Sequence, residues 1–230
     1  MTKLFRNTSS MALIVGLTLP LVAKTKVAPA PEHALNINVR IYNYADVTSG
    51  ILAKAQSESE RIFRRAGIQT NWLACAVPGR EVETNPSCKA KPGATDIHDI
   101  QVRILPKKMA QGLMKHYSEF GLAFTASGDG FGSNASILYH RVEELSERRH
   151  TSKSLLLGHL IAHEIGHLLL GSNSHSHSGI MHVPWNRAQV ERASLGTLLF
   201  TEQEPDKMRN QVSRRIAAAQ NLTILYAVKR

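Results

Sequence analysis

"HEIGHLLLGSNSHSHSGIM", residues 163–181, places four histidines, a glutamate and a methionine within nineteen positions. His163 and His167 are four apart, so on a helix they share one face about a turn from each other, close enough to hold the same ion. Glu164 is offset around that helix, near such an ion without needing to bind it. In this H-E-x-x-H arrangement two neutral imidazoles ligate zinc and the carboxylate serves as base.

Each residue type has a reason to be there. Zinc lowers the pKa of its water from about 15.7 to about 7, and a carboxylate then takes the proton and later delivers it to a leaving amine. A catalytic zinc takes three protein ligands and leaves one position open. Gly171 lacks a Cβ and can reverse the chain after the helix, and His175 follows four residues later. A chain doubling back there brings His175 to the face of His163 and His167. His177 and His182 are the alternative third ligands. His159, four residues before His163, lacks an interposed glutamate in its pairing with His163 and reads as a core residue or a support for the ligands.

Outward from this stretch, "SLLLGHLIAHEIGHLLLG" (154–171) is apolar around nearly its whole circumference, as a helix through the middle of a domain must be. "ALNINVRIYNYA" (34–45) alternates like a strand, and "IQTNWLAC" (68–75), "DIQVRILP" (99–106) and "NASILYHR" (134–141) read as three more. Between the first two, Ile51, Leu52, Ala55, Ile62, Phe63 and Ala66 fall at helical spacing, with Gly67 as the stop. Further on, the glycine stretch "SGDGFGSN" reads as a turn or loop, because a phosphate-cradling glycine loop must open a helix and a strand follows here. Thr201 and Glu204 form a capping-box pattern for a last helix over about 202–220. No internal repeat is visible. Strand, helix, three strands, helix, loop, helix predicts one α+β domain with a mixed twisted sheet, a buried central helix and a C-terminal helix.

The first thirty residues differ from the rest. Lys3 and Arg6 precede the apolar run "MALIVGLTLPLVA" (11–23), and small residues and prolines follow, the pattern of a secretory signal. That run falls short of the roughly 20 residues a spanning helix needs, so no stable anchor is expected once it is removed. Residues 1–30 are therefore read as a signal peptide with an open cleavage point and 31–230 as the folded domain of a secreted or periplasmic protein. Removing residues 1–30 takes away Lys3, Arg6, Lys24 and Lys26 and no acid, so the net charge falls from +10 to +6. The other basic clusters mix signs and read as solvated helix faces, which argues against a nucleic-acid partner. With 43% hydrophobic residues the composition is that of a globular protein. Cys75 and Cys88 are the two cysteines. In an exported chain they read as a disulfide closing a Pro- and Gly-containing loop, since their spacing lacks the C-x-x-C of a zinc ribbon.

The stretch 159–181 resembles the metzincin clan of zinc endopeptidases, whose motif is H-E-x-x-H-x-x-G-x-x-H followed by a methionine in a tight turn. "SGIM" supplies that methionine as Met181. The spacing departs from the clan's: the glycine follows the second histidine by four residues rather than three, and His175 follows it by eight rather than six. Strict alignment would put Asn173, a poor zinc ligand, in third place, so one extra residue is read on each side of the glycine. In this longer spacing the chain is similar to a set of uncharacterised exported bacterial metzincin-like proteins. The resemblance implies a single metzincin-like domain and a zinc-dependent endopeptidase acting on peptide or protein substrates; a monomer is the expected state. Zinc would sit on His163, His167 and His175, with Glu164 as base and Met181 packed beneath the metal. It also implies that the 134–140 strand is the sheet edge to which substrate adds. Tyr139 and His140 on that strand are the candidates for stabilising the oxyanion, although a strand tyrosine more often serves packing. The competing expectation is an exported interaction module that keeps zinc for stability without turnover.

Overall fold

A computed structural model describes residues 35–77, 88, 99–111, 121–124, 131–171 and 174–228. The leader assigned to 1–30 lies outside them. Five strands, β1 (Asn36–Asn43), β2 (Gln69–Cys75), β3 (Asp99–Leu105), β4 (Gly121–Phe124) and β5 (Asn134–Leu138), form one sheet in the order β2-β1-β3-β5-β4. Four run parallel, and β4 pairs antiparallel to β5 at one edge. Parallel neighbours need crossovers. Helix α1 (Ser49–Arg65) supplies the one between β1 and β2. This mixed sheet with its buried and C-terminal helices is the α+β architecture expected from the order of elements.

The alternation in β1 has a simple cause: Ile37, Val39 and Ile41 all face the helical layer and are buried, while the residues between them face the other side. Ile100, Val102 and Ile104 of β3 and Ala135 and Ile137 of β5 continue the same apolar face. Against it lie α1 and helix α4 (Lys153–Leu170), of whose 18 residues 14 are buried. That burial explains why α4 is apolar all round. Gly158 lets α1 approach, since a Cβ there would stand 2.6 Å from the Ala55 carbonyl oxygen and 2.8 Å from Glu58 Cβ. Each fully buried aliphatic side chain in this layer contributes about 1.5–3 kcal/mol relative to exposure.

Helix α6 (Glu204–Val228) begins as its capping pattern indicates, the Thr201 backbone N–H donating to the Glu204 carboxylate at 2.6 Å. From α6, Arg215 reaches the last turn of α4 and donates to the carbonyls of Leu168 (3.0 Å) and Gly132 (2.7 Å). A buried cation thereby satisfies a carbonyl that the helix end leaves without an intrahelical partner. Burial lowers its guanidinium pKa to about 10, so it stays charged. Cys75, closing β2, is disulfide-bonded to Cys88 with Cα atoms 5.6 Å apart.

Several sequence expectations need correction. A short helix, α2 (Lys107–Ala110), and strand β4 were not expected, and residues 125–130, which hold the first part of the glycine stretch, lie outside the described residues. The strand expected over 134–141 stops at Leu138, and Tyr139 opens helix α3 (Tyr139–Arg149), so the mixed-sign run is helical. The 134–140 strand is not the sheet edge, because β5 sits between β3 and β4 and the edge belongs to β4. A four-residue strand such as "GLAF" offers too little alternation to be recognised. Helix α5 (Arg187–Ser194), capped by Asn186 and Gln189, was not anticipated, and α6 runs to Val228 rather than to about 220.

Candidate metal centre

Helix α4 sets the first two imidazoles. One turn apart on a rigid, buried helix, His163 Nε2 and His167 Nε2 stand 3.1 Å from each other. His163 is 5% exposed, and its Nδ1–H donates to the Ile180 carbonyl at 2.7 Å, which leaves Nε2 as a lone-pair donor to whatever it faces. His167 Nδ1 lies 2.9 Å from Ser174 Oγ. At the helix end Gly171 adopts φ +94°, open to a residue without Cβ, and the chain turns back. His175, exposed to solvent, is thus brought beside the helix pair, its ring centroid 4.7 Å from that of His167 and 5.7 Å from that of His163. One ring nitrogen from each of the three lies within 4.8 Å of the others.

His177 is exposed and His182 half-buried, its Nδ1–H donating to the Ser176 carbonyl at 3.2 Å; neither belongs to this group. His159 is fully buried and also outside it: its Nδ1–H donates to Leu155 at 2.9 Å, and Nε2 lies 3.4 Å from Glu58 Oε1, a carboxylate already held by Arg61.

Electrostatics favour neutral rings. Burial pulls His163 down to about 4, partly opposed by the hydrogen bond to Ile180 and reinforced by His175. Burial first, then His163 and His175, takes His167 to about 3. Both are unprotonated at neutral pH, the form in which imidazole binds a metal. The donor set suits a borderline divalent cation such as zinc. Two ligands at Zn–N distances near 2.0–2.1 Å in a tetrahedron stand about 3.3 Å apart. The helix pair at 3.1 Å fits that spacing.

Glu164 is buried at 4% exposure. Over it lies Gly121, the first residue of edge strand β4: a Cβ at that position would fall 2.6 Å from Glu164 Cδ and 2.8 Å from Cγ. The backbone of the edge strand therefore passes directly against the carboxylate. Sequence reasoning missed Gly121, whose meaning depends on a neighbour 43 positions away.

Beneath the helix pair Met181 is fully buried, and a Cβ on Gly166 would be 2.6 Å from its sulfur. Gly166, between the two helix histidines, is the gap the methionine fills. The loop reaches this position through Gly179 (φ +74°) and a hydrogen bond from the Ile180 N–H to the Leu199 carbonyl at 2.8 Å. Trp185 donates its indole N–H to the same Ile180 carbonyl that receives His163, at 3.3 Å. Tyr139 and His140 begin α3 and are buried there, outside the histidine group.

No family model matches the chain, and no curated protein matches it. Among solved structures it is similar to archaemetzincin from Methanopyrus kandleri, with 13% identity over 79% of this chain and 98% of that one and a TM-score of 0.44. It is also similar to a Thermotoga maritima protein solved in solution, with 12% identity over 84% of this chain and 95% of that one and a TM-score of 0.31.

Proposed function

We propose that the chain is an exported zinc-dependent endopeptidase acting as a monomer on peptide or protein substrates. The observation that carries this reading is the joint placement of three histidine rings and a buried carboxylate that packs against the edge strand β4. His163, His167 and His175 would hold the ion. When bound, zinc supplies Lewis acidity toward a substrate carbonyl and lowers the pKa of the attacking water.

The remaining work belongs to the chain. Glu164 takes the proton of the attacking water on a carboxylate oxygen and passes it to the amine nitrogen of the broken peptide bond. Its burial under Gly121 keeps bulk water off the carboxylate and holds it in one orientation. Among the described residues no strand pairs with the outer side of β4, and an extended substrate adds there as a further strand. Because Gly121 touches Glu164, a strand paired there passes beside the base. Export is supported by the Cys75–Cys88 disulfide, a bond that persists in oxidising compartments, and by the leader-like residues 1–30.

The test compares metal content and peptide cleavage in the wild type and Glu164→Gln. Loss of cleavage by about 10²–10⁴-fold, with zinc retained, is expected of a removed general base. Zinc in both proteins with cleavage in neither would make the domain an inert, zinc-stabilised interaction module.

A further inference from the structure

The contacts running through the helix pair have a direction. A carbonyl only accepts, so the proton on His163 lies on Nδ1, facing Ile180, and its Nε2 must accept. His167 Nε2 stands 3.1 Å from it, too close for two lone pairs to face each other with neither a proton nor a cation between them. Without a cation, His167 carries its proton on Nε2, and its Nδ1 must accept from Ser174 Oγ, 2.9 Å away. With a cation at the Nε2 pair, the His167 proton sits on Nδ1, and the same oxygen must accept. A hydroxyl both donates and accepts, whereas alanine does neither and a carboxylate only accepts.

Resting on the reading of the three histidines as a metal site, we propose that Ser174 is a positioning residue for the metal, its hydroxyl reversing the hydrogen bond to His167 as the ion enters. One proton leaves Nε2 to solvent and one is taken up at Nδ1, so the ring exchanges tautomers in place and the charge of the pair is unchanged. The half-buried Ser174 immediately precedes His175. A single loop thus supplies the third imidazole and orients the second, a use for the longer spacing between His167 and His175. Ligating histidines are commonly held in this way through their second nitrogen, and losing such a partner costs about 10–100-fold in affinity.

The full chain is titrated with Co2+ alone, read by its visible absorption, and the His167 tautomer is read from proton–nitrogen correlations of the ring. Ser174→Ala should weaken Co2+ binding by about 10–100-fold without moving the unfolding midpoint of chelator-treated protein, and Ser174→Thr should restore it. Wild-type His167 should show Nε2–H without the ion and Nδ1–H with it. Equal Co2+ affinity for Ser174→Ala and wild type, or a wild-type tautomer that does not change, overturns the role of Ser174 and leaves the metal site standing. A wild type that takes up no Co2+ overturns the metal site itself, and the role of Ser174 with it.

Discussion

Along α4, His163 and His167 are brought together by helical geometry alone, and burial in the core then makes the pair rigid and keeps both rings neutral. The segment 174–182 works otherwise: His175 has no helix under it, is exposed, and depends on Gly171, Gly179, the Ile180–Leu199 hydrogen bond and Met181 seated against Gly166. The helix half is preorganised by local structure, whereas the loop half is held from a distance. Damage to each should therefore show in different measurements.

The sharpest separation comes from removing one ligand from each half. His163→Ala and His175→Ala should each weaken zinc binding by more than about 100-fold, the upper end of what a supporting residue costs. Only His163→Ala should also lower the unfolding midpoint of the chelator-treated protein, because it alone opens a cavity in the core. Equal midpoints for the two variants would erase the distinction.

Gly121→Ala probes the helix half without touching a ligand. The added methyl meets Glu164 Cδ, and displacing the base by about 1 Å should cost on the order of 10²-fold in cleavage with zinc binding unchanged. Normal turnover in this variant would show that the edge strand does not set the carboxylate's position.

Met181→Ala attacks the loop half from beneath. Emptying the buried methionine site should cost about 2–5 kcal/mol in denaturant unfolding, with zinc affinity falling as the 174–182 loop loosens. If zinc affinity holds while stability drops, the methionine serves the core and not the loop.

Acid sharpens the same contrast more gradually. Folded-state values of about 4 for His163 and about 3 for His167 lie below the ordinary 6.5. The unfolded chain binds more protons than the folded one through that window, so their contribution to stability is complete above about pH 6.5 and declines as pH falls toward 3. Unfolding midpoints of chelator-treated protein between pH 7.5 and 4.5 should decline, and less steeply in His167→Gln. A flat wild-type profile over that range would show that the two rings are not held neutral by burial.

Much of this was readable from residues alone where the physics is local. The alternation of Ile37, Val39 and Ile41, the helical spacing from Ile51 to Ala66, the all-round apolar character of α4 and the Thr201–Glu204 cap each correspond to an element in place. What escaped were short or context-dependent pieces. Strand β4 has four residues and exists by pairing with β5, and α3 begins where β-favouring Tyr139 would continue a strand. Calling 134–140 the edge failed for the same reason, since strand order is a property of the whole sheet.

The four-residue interval between His163 and His167 already implies two rings on one face, because α-helical periodicity needs no partner to enforce it. Where His175 lies, what sits beneath it and which backbone covers Glu164 were settled by contacts such as Ile180 with Leu199 and Gly121 with Ile137. Those contacts join residues 19 and 16 positions apart in the chain. Their existence depends on how sheet, helix and loop pack together, and no periodicity along the chain encodes that packing.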